Sequence, residues 1–368
     1  MSDLLYSEIE TDLRASVREV LDDKAPWTSV LAGTEKDEPY DAALWHAVAV
    51  QLGCAGLPVA EDAGGAGATW RETAVVMEEL GRCAAPVPFL SSAVTATAAL
   101  MAAGERDLLA RLASGDEIAV LAVPFSTGPF STGPGDPAGA VRVSDGAVTG
   151  EVTSVADGMA AGVFLVPAAG GLYAVDAADV GRTAVTSLDM TRRLADLAFS
   201  GAPARPVAEG DGAVRAALLT GAAMLASEQL GLAERCLDDT VAYVKTRYQF
   251  GRPVGSYQGL KHRLADLWTS VTQARAVARH AASCAAVPAS GGDGGDETAI
   301  SVAVAQAHCS AVALKAAEEC VQMHGGIGFT WEHPAHLYLK RAKADAIALG
   351  TPDRHRAALA ALVDLPPV

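Results

Sequence analysis

Apolar residues recur at helical spacing through the first third of the chain. Leu44 to Leu52 and Trp70 to Leu80 each carry them at i, i+3 and i+4, which predicts helices with one buried face. Between them, Gly56-Leu-Pro-Val-Ala-Glu-Asp-Ala-Gly-Gly-Ala-Gly is too rich in Gly and Pro for regular structure and reads as a loop. Near Glu117 the rhythm changes. Ile118 to Val123, Val141 to Val143, Ala147 to Val152 and Gly162 to Val166 are short runs suited to strands. Asp145-Gly146, between two of these runs, is a hairpin-turn signal. Asp179 to Phe199 continues in the same style. Ser126 to Gly139 repeats Ser-Thr-Gly-Pro and reads as an irregular surface loop.

From Gly212 the helical spacing returns. Leu218 to Tyr248 is one long apolar-periodic stretch, which Gly251 and Pro253 are expected to stop. Ser256 is the expected N-cap of the next helix, with Leu260, Leu264, Leu267 and Val271 on one face. Pro288 to Asp296 reads as a flexible linker. Helices follow over Ala299 to Met323 and Pro334 to Leu349. The pattern predicts an α+β chain: an N-terminal helical domain at residues 1–116, a middle β-domain at 117–208 and a C-terminal helical bundle at 209–368.

Composition narrows the functional classes. Half of the 368 residues are hydrophobic, enough for a substantial core. A formal charge of -16 argues against nucleic acid and anionic membranes as partners. The polar, acidic N-terminus does not read as a signal peptide. The uncharged stretch from Gly158 to Val175 is interrupted by Pro167, Gly170 and Gly171, so it predicts strand, turn, strand and no membrane span. Six cysteines without a C-x-x-C pair suit reduced, mostly buried thiols in a cytoplasmic protein. His324, His333 and His336 are close in sequence but lack convincing ligand spacing; they are expected to face solvent, and no metal is expected. No G-x-G-x-x-G joins a strand to a helix and no Walker A string is present, which argues against Rossmann and P-loop cofactor sites.

Three segments resemble the acyl-CoA dehydrogenase family, in the family's order. The first is Gly53-Cys-Ala-Gly-Leu-Pro-Val-Ala-Glu-Asp-Ala-Gly-Gly-Ala-Gly, followed by Val76-Met-Glu-Glu-Leu-Gly-Arg and Ala85-Pro-Val-Pro. The second is Tyr243-Val-Lys-Thr-Arg-Tyr-Gln-Phe-Gly-Arg-Pro-Val-Gly-Ser-Tyr-Gln, and the third is Gln322-Met-His-Gly-Gly-Ile-Gly-Phe-Thr-Trp-Glu-His-Pro. The resemblance implies a tetrameric flavoprotein of lipid metabolism. It would oxidise an acyl-CoA thioester with FAD and pass electrons to an electron-transfer flavoprotein. In this family the second and third segments reach the flavin of a neighbouring subunit. By resemblance, Arg247 and Gln258 meet its pyrophosphate and adenosine side with Gln249 and Phe250 alongside. Gln322, Gly325 and Gly326 approach the adenine end, and Thr351 belongs to the same cofactor set. Arg offers phosphate a planar fork of donors, and paired glycines admit a close backbone approach.

The same resemblance exposes departures. The family's α-proton is removed by a carboxylate. In many members this glutamate follows the last motif, in Tyr-Glu-Gly-Thr. Counted from Gly325 without a gap, its place falls on Leu349, in Ala348-Leu349-Gly350-Thr351. In others the base sits on the preceding long helix, which here falls on Gly221. An arginine that often contacts CoA falls on Ala222. The family's Thr-Glu-Pro-x-x-Gly-Ser loop has no counterpart around Ser126-Thr-Gly-Pro. Glu228 is a rescue candidate, but it lies two helical turns beyond Gly221, about 10 Å away; packing or an interface is the better reading of Ser227-Glu228-Gln229.

Motifs kept and base lost match the flavin-completing subunit of a bacterial heteromeric acyl-CoA dehydrogenase, paired with a homologous chain. Three alternatives stay open. They are a self-sufficient homo-oligomer with a displaced base, a flavin-dependent monooxygenase and a non-enzymatic interaction protein.

Overall fold

The computed structural model describes residues 4–131, 141–287 and 294–365. Six α-helices open the chain: α1 (Glu8–Lys24), α2 (Trp27–Thr34), α3 (Ala42–Trp45), α4 (Trp70–Cys83), α5 (Thr97–Ala103) and α6 (Asp107–Ala113). Their starts are set locally. The Ser7 hydroxyl accepts from the Glu10 amide while the Glu10 carboxylate accepts from the Ser7 amide, and Thr69 and Glu72 repeat this box on α4. α3 widens into a π-helical stretch at His46–Gln51, and another at Phe89–Ala96 leads into α5.

Two four-stranded sheets follow. One has the order β1 (Ala119–Leu121), β4 (Val163–Ala168), β5 (Gly171–Asp176), β8 (Arg205–Glu209), with β1 and β4 parallel. The other is antiparallel, in the order β2 (Val141–Ser144), β3 (Ala147–Ala156), β7 (Leu194–Pro203), β6 (Val180–Val185). Asp145 and Gly146 join β2 to β3 with φ of 51° and 76°, the left-handed pair that a two-residue hairpin requires. The stretch from Gly158 to Val175 is strand, turn, strand as predicted.

The bundle is α7 (Gly212–Thr246), α8 (Gln258–Ala285), α9 (Gly294–His324), α10 (Ala335–Asp345) and α11 (Pro352–Leu362). α7 is its centre and packs against α4, α8 and α9. α4 and α7 meet backbone to backbone: a Cβ on Gly81 would lie 2.1 Å from the Glu228 carbonyl oxygen, and one on Gly231 would lie 1.8 Å from that of Glu78. α7 and the stretch Glu297–Phe329 are long and apolar enough to cross a membrane, but their apolar windows are 83% and 67% buried inside the fold, as in core helices. Helical N-terminus, β middle and helical C-terminus form the predicted α+β architecture.

Several boundaries differ from expectation. α7 ends at Thr246, before Gly251; Gly251 and Pro253 belong instead to a small hairpin of β9 (Tyr248–Gln249) and β10 (Arg252–Pro253). Ser256 does not cap α8. It closes the 3-10 turn Val254–Ser256, and Tyr257 takes the N-cap position with its ring held 3.7 Å from the Arg252 guanidinium. α9 begins at Gly294, not Ala299. α10 stops at Asp345, and the chain reverses through Leu349 and Gly350 with φ of 50° and 100°. α11 is unpredicted although Thr351 at its N-cap and Pro352 at its first turn are start signals. The parts of the Ser126–Gly139 and Pro288–Asp296 readings that fall on 132–139 and 288–293 lie outside the described residues. All six cysteines are free, four of them buried.

Candidate functional site

The second and third motif segments converge at one end of the bundle. The Tyr243 hydroxyl, in the last turn of α7, donates to the His324 carbonyl at 3.4 Å, and their rings lie 4.3 Å apart. His333 joins this pair, its ring 4.1 Å from that of His324. His324 is therefore buried at 4% exposure and does not face solvent as expected, because α7 supplies a ring to cover it. Its Nδ1 pairs with the Cys320 carbonyl at 2.7 Å. Burial, then the neighbouring His324, hold His333 down at about 4, so it is neutral at physiological pH. His336 is half-buried against Trp331, and no metal-binding group forms among these three histidines in the described residues.

This end presents an open polar and aromatic surface. Arg247 caps α7 through its own amide, which donates to the Tyr243 carbonyl at 2.9 Å. Its side chain is exposed and forms no ion pair among the described residues. Gln249, Gln258, Gln322, Gly325 and Gly326 are exposed too. A Cβ on Gly325 or Gly326 would meet nothing within 4 Å, so among the described residues nothing fills the space that the glycine pair keeps clear. Phe250 sits at the hairpin tip in the left-handed region, φ 52°, and is 91% exposed. A bulky residue in that conformation is strained, and leaving it in water recovers nothing. Tyr248, Phe329 and Trp331 are also largely exposed.

A second region gathers Gly221, Leu349 and Thr351. A Cβ on Gly221 would lie 2.6 Å from Thr95 Cγ2 and 3.2 Å from Leu349 Cδ1. The two positions assigned by counting to alternative bases are thus direct neighbours, and a small pocket lies beside Leu349. Leu90, Ser91, Thr95, Val120, Phe125 and Leu349 line it, and its 30 Å³ has room for water. Leu349 is 4% exposed. Its amide donates to the Phe125 carbonyl at 2.8 Å, and its carbonyl pairs with His355 Nε2 at 2.9 Å. The loop after Phe125 lies over it: a Cβ on Gly128 would reach the Leu349 carbonyl oxygen at 2.6 Å. Thr351, grouped by sequence with the cofactor residues, lies here and caps α11, accepting from the Arg354 amide at 3.4 Å. Ala222 is fully buried, its carbonyl accepting from Gln306 Nε2 at 2.6 Å.

Glu228 belongs to a buried ion cluster that the sequence did not reveal. Arg192 donates to both of its oxygens at 2.8 and 2.7 Å, and Arg341 donates to Oε1 at 2.6 Å. Arg192 also pairs with Asp345 at 2.7 Å, and Arg341 with Asp189 at 2.5 Å. Burial alone would raise the Glu228 carboxyl, and the two guanidiniums more than reverse it, holding it below the ordinary value. A carboxylate so held is a poor proton acceptor, which favours packing over a base role. Three carboxyls face two guanidiniums, and Asp345 Oδ2 has no partner. Burial, then Glu228, push the Asp345 carboxyl up to about 8. These residues come from three separate segments, and no local spacing could have joined them.

Comparison with known proteins fits this geometry. Residues 7–116 match the family model described as acyl-CoA dehydrogenase, N-terminal domain, and residues 208–363 match the one described as acyl-CoA dehydrogenase, C-terminal domain. The chain is 37% identical to the acyl-CoA dehydrogenase IpdE2 of Mycolicibacterium smegmatis, over 94% of this chain and 96% of that one. Among solved structures it superposes on the ChsE4-ChsE5 complex from Mycobacterium tuberculosis with a TM-score of 0.87 and 29% identity, covering 100% of both chains. It also superposes on the Tcur3481-Tcur3483 steroid ACAD with a TM-score of 0.84 and 28% identity, over 97% of this chain and 98% of that one.

Proposed function

The chain belongs to the acyl-CoA dehydrogenase family of flavin-dependent oxidoreductases, and from that premise we propose that it is the FAD-site-completing, base-lacking subunit of a heteromeric enzyme. The observation that carries this reading is the pairing of an open motif surface with an apolar pocket. Arg247, Gln258, Gln322 and the Gly325-Gly326 backbone fit FAD. They offer a free guanidinium, amide donors and unobstructed main chain, all directed away from this chain's own core. When bound, FAD would accept the hydride from the thioester's β-carbon. Here this chain's part is to bind and orient. Arg247 would hold pyrophosphate oxygens by charge-assisted hydrogen bonds, Gln258 and Gln322 would donate at the adenosine end, and the exposed Phe250 would lie alongside.

Leu349 and Gly221 leave this chain without a carboxylate at either family position, and the pocket beside Leu349 is lined mainly by apolar side chains. Base and substrate therefore come from a homologous partner; the ChsE4-ChsE5 complex, which joins two differently named chains, is a relative that supports this reading. An electron-transfer flavoprotein is the acceptor. Because another relative is named a steroid ACAD, CoA esters of steroid side chains are the first substrates to try.

The test is to express the chain with and without a homologous partner chain from the same source. Acyl-CoA oxidation is then measured with an artificial acceptor, together with flavin content. Turnover only on co-expression is expected. Robust turnover by this chain alone would reject the reading.

A further inference from the structure

A group outside both regions has the make-up of a metal site. His280 and Cys284 stand one turn apart on α8, so their side chains share a face. The Cys284 Sγ and His280 Nε2 are 3.7 Å apart. Glu297, in the first turns of α9, brings a carboxylate to the same point, and one ligand atom from each of the three lies within 4.8 Å of the others. The two helices are already tied there, since Thr298 Oγ1 donates to the Cys284 carbonyl at 3.3 Å.

From this geometry we propose that His280, Cys284 and Glu297 form a binding site for a zinc-class divalent cation that staples the end of α8 to the start of α9. The donor set selects the metal class. A thiolate with an imidazole favours zinc or cobalt over the hard cations magnesium and calcium, which prefer all-oxygen sites. Three protein ligands leave a fourth tetrahedral position, and the adjoining cavity of 590 Å³, lined by Val277, Ile300, Val304 and Leu362, has room for a water there. Closing the chain between Cys284 and Glu297 removes loop freedom from the unfolded state, so metal uptake stabilises the fold. The site is independent of the flavin reading. It was not evident in the sequence because Glu297 stands across a connection from the other two.

Cobalt(II) is the probe, added to the full chain with any partner that co-purifies. We expect one equivalent to bind with a thiolate-to-metal charge-transfer band, proton release and a raised Tm. Burial holds the Cys284 thiol above its ordinary value, so binding must displace its proton and tighten as pH rises. Cys284→Ser should abolish the band. His280→Ala and Glu297→Gln should weaken binding by more than about tenfold, a loss that altering a residue which only orients a ligand already reaches. A band that persists in Cys284→Ser, or no binding to the native chain, overturns the site. If Cys284→Ser does not fold, Glu297→Gln decides on an exposed position: unchanged cobalt affinity there overturns it equally.

Discussion

The start and the end of α7 are finished in opposite ways. Around Gly221 the helix is wrapped on every side. Thr95 and Leu349 close on it, the loop after Phe125 covers Leu349, and two turns further Glu228 is locked between two guanidiniums. Beyond Thr246 the chain turns outward, and an unpaired arginine, three glutamines and an exposed Phe250 face solvent. The first region spends its polar groups inside the molecule; the second holds them for something outside. Burial, and not residue type, separates them: Arg192 and Arg341 are tied into ion pairs inside this chain, whereas the exposed Arg247 forms none among the described residues.

The largest expected effect breaks the closed region. Arg341→Ala leaves Glu228 and Asp189 short of a buried partner and should cost about 3–5 kcal/mol of stability, read as a lower denaturation midpoint. Next, Arg247→Ala should leave stability unchanged but remove about 1.5–3 kcal/mol of flavin binding, a loss of at least about tenfold in retention. Flavin absorbance of the purified assembly measures it, and unchanged content in an intact assembly would remove Arg247 from the cofactor set. A smaller, pH-dependent effect belongs to Asp345. Its folded value of about 8 lies above its unfolded value, so its contribution is full at low pH and is lost as pH rises to about 8. Asp345→Asn should therefore gain on the native chain from pH 5 to pH 8 and then level off; parallel melting curves at all pH values would contradict the raised Asp345 carboxyl. The smallest effect is at Phe250. Phe250→Ser should change the stability of the chain alone by no more than about 0.5 kcal/mol, yet shift the assembly toward smaller species in sedimentation.

The open region was legible in the sequence because its residues sit in two continuous strings, and their exposure follows from helix ends. The family and the order of helices, strands and helices were legible for the same reason. The closed region was legible only as two numbers, Leu349 and Gly221. That they touch follows from the reversal at Leu349, and no periodicity predicts a leucine with φ of 50°. Glu228 looked like a stray carboxylate because its partners, Arg192 and Arg341, lie in other elements. Ser256 misled because a good capping residue was outcompeted by Tyr257, whose ring was already fixed on Arg252.

The close approach of α4 and α7 at Gly81 and Gly231 has a further consequence. With no side chain between the backbones, α7 can neither slide nor roll against α4 without a collision. It behaves as a ruler of fixed length. Gly221 and Arg247 are twenty-six residues apart on it, a separation of about 39 Å at the helical rise. No dinucleotide reaches from one mark to the other. Under the proposed function, a flavin held by Arg247 would therefore react in some pocket other than the one beside Leu349 of the same chain.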